Sequence, residues 1–193
     1  MVKKLYVSFE DVQRQVQDII RQMYTDNWRP DYVVGLTRGG LTPAVLLSQY
    51  LNVPMYALHV SLRDFANCET NCWMAEDAFG TVPEHDPNGA RVDPFHRKNI
   101  LIVDDINDSG ETINWIKQDW QQSVYDPAGG STWDAVWGKT TRFAVLYDNL
   151  ASDATLTPTY ASEEINKAED PTWIVFPWEE WWKRWNPDEE VVQ

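Results

Sequence analysis

Apolar residues recur along this chain in two rhythms. From residue 9 to about Tyr24 they fall at helical spacing, with Val12, Val16, Ile19 and Met23 on one face. Ser8 and Asp11 stand ahead of that face in a capping-box relation. Elsewhere they come as short continuous runs: Asp31–Leu36, Pro54–Val60, Ile100–Val103 and Phe143–Tyr147. Runs this short and this rich in branched residues read as strands covered on both faces. Helical patterns fall between them. Leu41–Leu51 is one, with Pro43 tolerated in its first turn. Ile113, Ile116 and Trp120 mark another after residue 110. Strands alternating with helices predict an α/β fold: a mostly parallel central sheet, flanked by helices and joined by right-handed crossovers.

Some stretches follow neither rhythm. Residues 64–97 hold Pro83, Pro87, Pro94, Gly80 and Gly89 without a period, and a loop this long is usually functional. Pro127-Ala128-Gly129-Gly130-Ser131 breaks the chain, and Trp133–Trp137 reads as a short extra helix. Residues 150–170 are polar and read as loops or a partial helix, and the acidic tail Asn186–Gln193 reads as frayed. With 193 residues and no internal repeat, the chain reads as one domain spanning 1–193.

Charge narrows the function. Thirty acidic residues against sixteen basic ones leave a net charge of −14. That argues against a nucleic-acid partner, which needs a basic footprint, and against an anionic membrane surface. No apolar run approaches the roughly 20 residues of a membrane span. The first ten residues carry two lysines but no apolar core of a secretory signal, so a cytoplasmic location is expected. Two cysteines do not make a disulfide framework. Cys68 and Cys72, with His85 and His96 downstream, depart from common zinc spacings and are read as unpaired thiols. Of eleven tryptophans, five lie between Trp173 and Trp185, which suits packing or a subunit interface.

The chemistry concentrates in residues 100–112. The strand Ile100–Val103 runs into Asp104 and Asp105, then into Asp108-Ser109-Gly110-Glu111-Thr112 and a helix. Ligands of open α/β sheets bind outside the carboxyl ends of strands, and free amides at a helix N-terminus hold phosphate. Gly110 permits close backbone approach, Ser109 and Thr112 add hydroxyls, and two adjacent carboxylates suit vicinal hydroxyls or a hard cation. The plain alternative is a βα turn with Asp108 or Ser109 as the N-cap. A second candidate loop is Thr37-Arg38-Gly39-Gly40, where two glycines permit positive φ and backbone amides suit an anion nest.

These residues carry a resemblance. Residues 100–112 resemble the phosphoribosyl-pyrophosphate motif of the type I phosphoribosyltransferases. Tyr32–Leu41 resembles that family's first strand and pyrophosphate loop, and Thr172–Glu179 resembles the C-terminal base-binding segment of bacterial xanthine-guanine phosphoribosyltransferases. The resemblance implies transfer of a 5-phosphoribosyl group from phosphoribosyl pyrophosphate to a purine base, Mg²⁺-dependent, in nucleotide salvage. It also implies a flexible flap at about 64–97, a small C-terminal hood at about 160–185, and a homo-oligomer, dimer or tetramer.

Residue by residue, the resemblance assigns the 5-phosphate and ribose to Asp104, Asp105, Ser109, Gly110, Glu111 and Thr112, and pyrophosphate to Thr37, Arg38, Gly39 and Gly40. Asp108 corresponds to the family's acid/base residue, Asp105 and Glu179 to metal ligands, and Trp173 and Ile174 to the base-stacking and edge-reading positions. The 6-oxopurine enzymes carry a lysine after the fourth core strand, and alignment places Asn149 there. Asn149 is therefore expected to set the choice between oxo and amino bases. Arg63 stands in the flap as a further pyrophosphate candidate. Two other readings remain: a non-catalytic regulator that binds phosphoribosyl pyrophosphate or a nucleotide, and an enzyme for a different acceptor.

Overall fold

A computed structural model of the chain describes residues 3–60, 72–80, 97–124 and 133–184. Five parallel strands form the main sheet: β2 (Tyr32–Leu36), β3 (Met55–Leu58), β4 (Ile100–Asn107), β5 (Thr141–Asn149) and β6 (Tyr160–Ile165), in the order β3-β2-β4-β5-β6. A separate two-stranded parallel pair joins β1 (Lys3–Tyr6) to β7 (Thr172–Val175), with Leu5 opposite Ile174. The helices are α1 (Phe9–Thr25), α2 (Leu41–Leu51), α3 (Cys72–Phe79) and α4 (Glu111–Ser123).

Alternation within the apolar runs explains the layers. Leu101 and Val103 of β4, with Val33, Ala144 and Leu146, face α1 and α2, where Val12, Val16, Ile19, Ala44 and Leu47 complete one core. Ile100 and Ile102, with Val34, Leu36 and Phe143, face the other way, against Met74, Ile113, Ile116 and Trp120. Each fully buried aliphatic side chain contributes roughly 1.5–3 kcal/mol, so covering both faces fixes the strand register. Ser8 caps α1 in a complete capping box with Asp11.

The structure differs from the sequence reading in several places. β4 does not stop at Val103 but runs through the acidic pair to Asn107, because Asp104 pairs with Val145 and Ile106 with Tyr147 of β5. Residues 160–165, read as loop and hood, form the edge strand β6 of the main sheet. Trp133–Ala135 is a single 3-10 turn. Within 64–97 the structure contains α3, whose Met74, Ala75, Ala78 and Phe79 are buried. Arg63, Cys68, His85, His96, most of the flap range and the tail from Asn186 lie outside the described residues.

Candidate active site

The order of the strands reverses direction between β2 and β4: β2 leads outward to β3, while β4 leads the other way to β5 and β6. At such a switch point the loops at the strand ends diverge and leave a crevice. A cleft of about 1000 Å³ opens there, lined by Thr37, Arg38 and Gly39 after β2, and by Asp104, Asp105 and the loop Asp108–Thr112 at the end of β4. The two loops singled out from the sequence thus face each other. Gly40 is buried beneath its loop as the N-cap of α2 with φ −69°, and among the described residues neither Gly39 nor Gly40 has positive φ. The glycines are required for close approach instead: a Cβ on Gly39 would sit 1.9 Å from the Asp105 carboxylate, and one on Gly40 2.2 Å from the Val103 carbonyl.

The N-cap of α4 is Gly110, with φ +86° and no side-chain cap, rather than Asp108 or Ser109. Among the described residues the amides of Gly110 and Thr112 have no partner, and that of Glu111 lies 3.4 Å from Ser109 Oγ. Free amides at a positive dipole end are suited to an anion. The connection between β5 and β6 braces this loop. The Asp153 amide donates to Ser109 O at 3.0 Å, and Asn114 binds Asp153 O and the Thr155 amide. A side chain on Gly110 would meet Ala154 N at 2.3 Å. Asn107 ties the end of β4 to Asp148 and Ser152.

Burial dominates the electrostatics of the acidic pair. It raises the Asp104 carboxyl well above its usual range, and the neighbouring charge of Asp105 adds to the effect. Asp105 is pushed up to about 6, first by burial and then by the charge of Glu179. Glu179 is brought there by a turn in which its carboxylate accepts from the Phe176 amide and its own amide donates to Phe176 O. Trp178 stacks on Phe176 with ring planes 3° apart. Among the described residues no Lys or Arg pairs with Asp104, Asp105 or Glu179.

A stability consequence follows. The native protein keeps on Asp105 a proton that the unfolded chain releases near 3.8, so this group's contribution to stability is complete below that value and is lost as pH rises through about 6. Between about pH 5 and pH 7 the ligand-free protein is expected to lose on the order of 1 kcal/mol from this group. Thermal denaturation of wild type and Asp105→Asn at both pH values checks this. Curves with equal pH dependence in the two proteins would show that Asp105 is not desolvated.

A second, smaller cavity of about 140 Å³ shares Asp105, Ile106, Asp108 and Glu179 with the cleft, and is otherwise walled by Lys167, Trp173, Ile174 and Phe176. Trp173 lies on β7, 44% exposed, while Ile174 beside it is buried. Asp108 thus stands where the two spaces meet.

Asn149 does not stand there. It is buried, and its side chain is committed to the backbone: Nδ2 donates to Asp108 O at 2.8 Å, and Oδ1 accepts from the amides of Ala151 and Lys167 at 3.2 and 3.0 Å. It lines neither cavity. The group that the sequence reading missed is Lys167, whose Nζ lies 2.8 Å from Asp108 Oδ1 and 5.8 Å from the centre of the Trp173 ring. Nothing local marks it, since it follows an edge strand in a polar stretch. Only the pairing of β6 beside β5 brings it to the site.

Comparisons with known proteins agree with this architecture. In sequence, the chain is 26% identical over 182 residues to the xanthine-guanine phosphoribosyltransferase of Cereibacter sphaeroides, a match covering 92% of this chain and 87% of that one. It is 22% identical over 139 residues to xanthine phosphoribosyltransferase 1 of Saccharomyces cerevisiae, covering 63% of this chain but only 62% of the yeast protein. In structure it resembles the purine phosphoribosyltransferase from Pyrococcus horikoshii, with a TM-score of 0.60 and 21% identity over 100% of this chain and 99% of that one. That likeness speaks for the fold: a parallel sheet flanked by helices. A family profile, the phosphoribosyl transferase domain, matches residues 6–118, more than half of the chain, and takes in both facing loops and the acidic pair between them. On that match the chain belongs to the phosphoribosyltransferase family.

Proposed function

We propose that this protein transfers the 5-phosphoribosyl group of phosphoribosyl pyrophosphate to a purine base, giving a nucleoside monophosphate and pyrophosphate. The observation that carries the reading is the shared wall of the two cavities. A cleft bounded by anion-suited loops meets a small aromatic-walled space at Asp108. In this reading the amides at the start of α4 hold the 5-phosphate, and Asp104 and Asp105 hold the ribose hydroxyls. The loop Thr37–Gly40 receives the pyrophosphate, with exposed Arg38 as its cation. Glu111, exposed at the first turn of α4, borders the cleft, and its backbone amide rather than its carboxylate suits the phosphate.

The bond from the anomeric carbon to pyrophosphate breaks and a bond to the base nitrogen forms. Positive charge builds on the carbon between these events, so stabilisation of the leaving anion is the main catalytic task. Asp108 accepts the proton that the base nitrogen gives up. Asp105 and Glu179 fit a divalent cation, Mg²⁺ in this reading, because they are close carboxylates with no basic partner among the described residues. Among those residues no group of three ligating side chains would hold a metal alone, so Asp105 and Glu179 would hold the ion together with substrate oxygens and water. When bound, the ion neutralises the charge of the departing pyrophosphate.

Release of pyrophosphate from phosphoribosyl pyrophosphate, measured with a panel of purine and pyrimidine bases, tests the reading. Turnover only with a pyrimidine would make it an enzyme for another acceptor. Tight binding of phosphoribosyl pyrophosphate without turnover of any base would make it a regulator. Trp173 supplies the stacking surface, and Trp173→Ala is expected to weaken every base alike by about 1–3 kcal/mol, roughly 5- to 150-fold in the KM for the base. An unchanged KM would remove Trp173 from the base site.

A further inference from the structure

A third strand end reaches the cleft beside those of β2 and β4. The apolar run Pro54–Val60 continues past its strand: β3 ends at Leu58, so His59 is the first residue beyond it. β2 fixes where that residue stands. Leu36 pairs with Leu58, and the Thr37 amide donates to Leu58 O at 3.0 Å. The residues that follow such a pair on parallel strands stand side by side, and Thr37 Oγ1 lies 2.9 Å from His59 Nδ1. Both residues are half-buried and line the cleft. Among the described residues His59 Nε2 has no hydrogen-bond partner. Six carboxylate residues line the same cleft, and Arg38 is the only lysine or arginine among the described residues that does. That balance repels a polyanion unless donors face it.

We propose that His59 is a further pyrophosphate-binding residue, donating from Nε2 to the anion received by the loop Thr37–Gly40. On the phosphoribosyl-transfer reading, on which this inference rests, that loop holds the pyrophosphate of the substrate. The contact with Thr37 leaves Nε2 as the nitrogen that can serve. With the hydroxyl donating to Nδ1, the neutral ring carries its hydrogen on Nε2. With Nδ1 donating to the hydroxyl, the imidazolium donates from Nε2 as well. The bond is charge-assisted through the anion, and it strengthens as the anomeric bond breaks and negative charge grows on the departing pyrophosphate. Arg38 is exposed on a long stem. His59 is held at a strand end by its neighbour, so it loses little freedom when the anion arrives.

The test compares wild type with two variants. His59→Asn keeps a partner for Thr37 Oγ1 but has no donor where Nε2 stands, whereas the amide of His59→Gln reaches that place. Calorimetric titrations with inorganic pyrophosphate and with inosine monophosphate, both with Mg²⁺, are run beside initial rates and thermal denaturation. In His59→Asn the Kd for pyrophosphate and the KM for phosphoribosyl pyrophosphate are expected to rise about 10- to 100-fold, the scale of a hydrogen bond to a charged group. Inosine monophosphate has a 5-phosphate but no pyrophosphate, and is expected to bind as in wild type, with Tm little changed. His59→Gln is expected to recover part of the loss. Unchanged pyrophosphate binding in His59→Asn would overturn the inference. Equal losses for both ligands would also overturn it, by showing that His59 only shapes the cleft through Thr37. Should His59→Asn not fold, unchanged pyrophosphate binding in His59→Phe has the same force. The transfer reading fails differently: wild type that binds pyrophosphate through His59 yet turns over no base removes that reading and supports the site, whereas wild type that binds no pyrophosphate removes both.

Discussion

Replacing Asp108 with asparagine should lower kcat for phosphoribosyl transfer by about 100- to 10,000-fold, the usual worth of a positioned acid or base. The substitution keeps shape and volume, so the loop before α4 is expected to hold. Its carbonyl remains available to Asn149 Nδ2, because that bond involves the backbone and not the side chain. What changes is that an amide cannot accept the proton from the base nitrogen at neutral pH. The Lys167 ammonium, 2.8 Å away in the native protein, also loses its ion-pair partner. Binding of phosphoribosyl pyrophosphate should stay near the wild-type value, since the amides of Gly110 and Thr112 and the loop Thr37–Gly40 are untouched. Initial rates of pyrophosphate release, with calorimetric titration of phosphoribosyl pyrophosphate, check both halves. A kcat within about 10-fold of wild type would mean that another group takes the proton.

The main sheet was legible because its strands are covered on both faces. Such strands leave continuous apolar runs, and Ile100–Val103 and Phe143–Tyr147 have no other stable use in a chain of this kind. β6 was not legible. Tyr160-Ala161-Ser162-Glu163-Glu164-Ile165 lies at the sheet edge with only Tyr160 buried, so its polar residues obey solvent while its backbone obeys β5. β1 is more extreme, with all four residues exposed; it is a strand only because β7 pairs with it. The loops around the cleft were legible for a different reason: small residues and a helix start have to be contiguous to offer free amides to an anion, and the carboxylates that suit hydroxyls or a cation stand directly before them. The smaller cavity was legible in part: Trp173 and Ile174 of β7 were named from the resemblance, whereas Lys167, in the turn after β6 and distant in sequence from Asp108, was not. Asn149 shows the limit of alignment by register. It occupies the expected place at the end of its strand, yet its buried side-chain amide holds three backbone partners and lines neither cavity.

The adjacent glycines of the first loop should fail in different ways. Gly40 is closed in by backbone: an added Cβ would lie 2.2 Å from Val103 O and 2.9 Å from both Asp104 Cα and Leu36 N. These atoms belong to two central paired strands and cannot step aside singly, so Gly40→Ala forces β2 and β4 apart. Overpacking of this kind costs about 1–3 kcal/mol or more. In a domain of this size that is a fall in Tm of roughly 2–4 °C per kcal/mol, with activity lost as the cleft is distorted. Gly39 instead meets a side chain, the carboxylate of Asp105, at 1.9 Å for Oδ2 and 2.6 Å for Oδ1. A rotation of Asp105 relieves that clash without moving a strand. Gly39→Ala should therefore keep a Tm near wild type but lose about 100-fold in kcat/KM for phosphoribosyl pyrophosphate, the scale expected when a site group is displaced by about 1 Å. Thermal denaturation and initial rates on the two variants separate the cases. A Gly40→Ala protein as stable as wild type would deny the close approach of the loop to β4. A fully active Gly39→Ala protein would deny that Asp105 must stand where the native loop holds it.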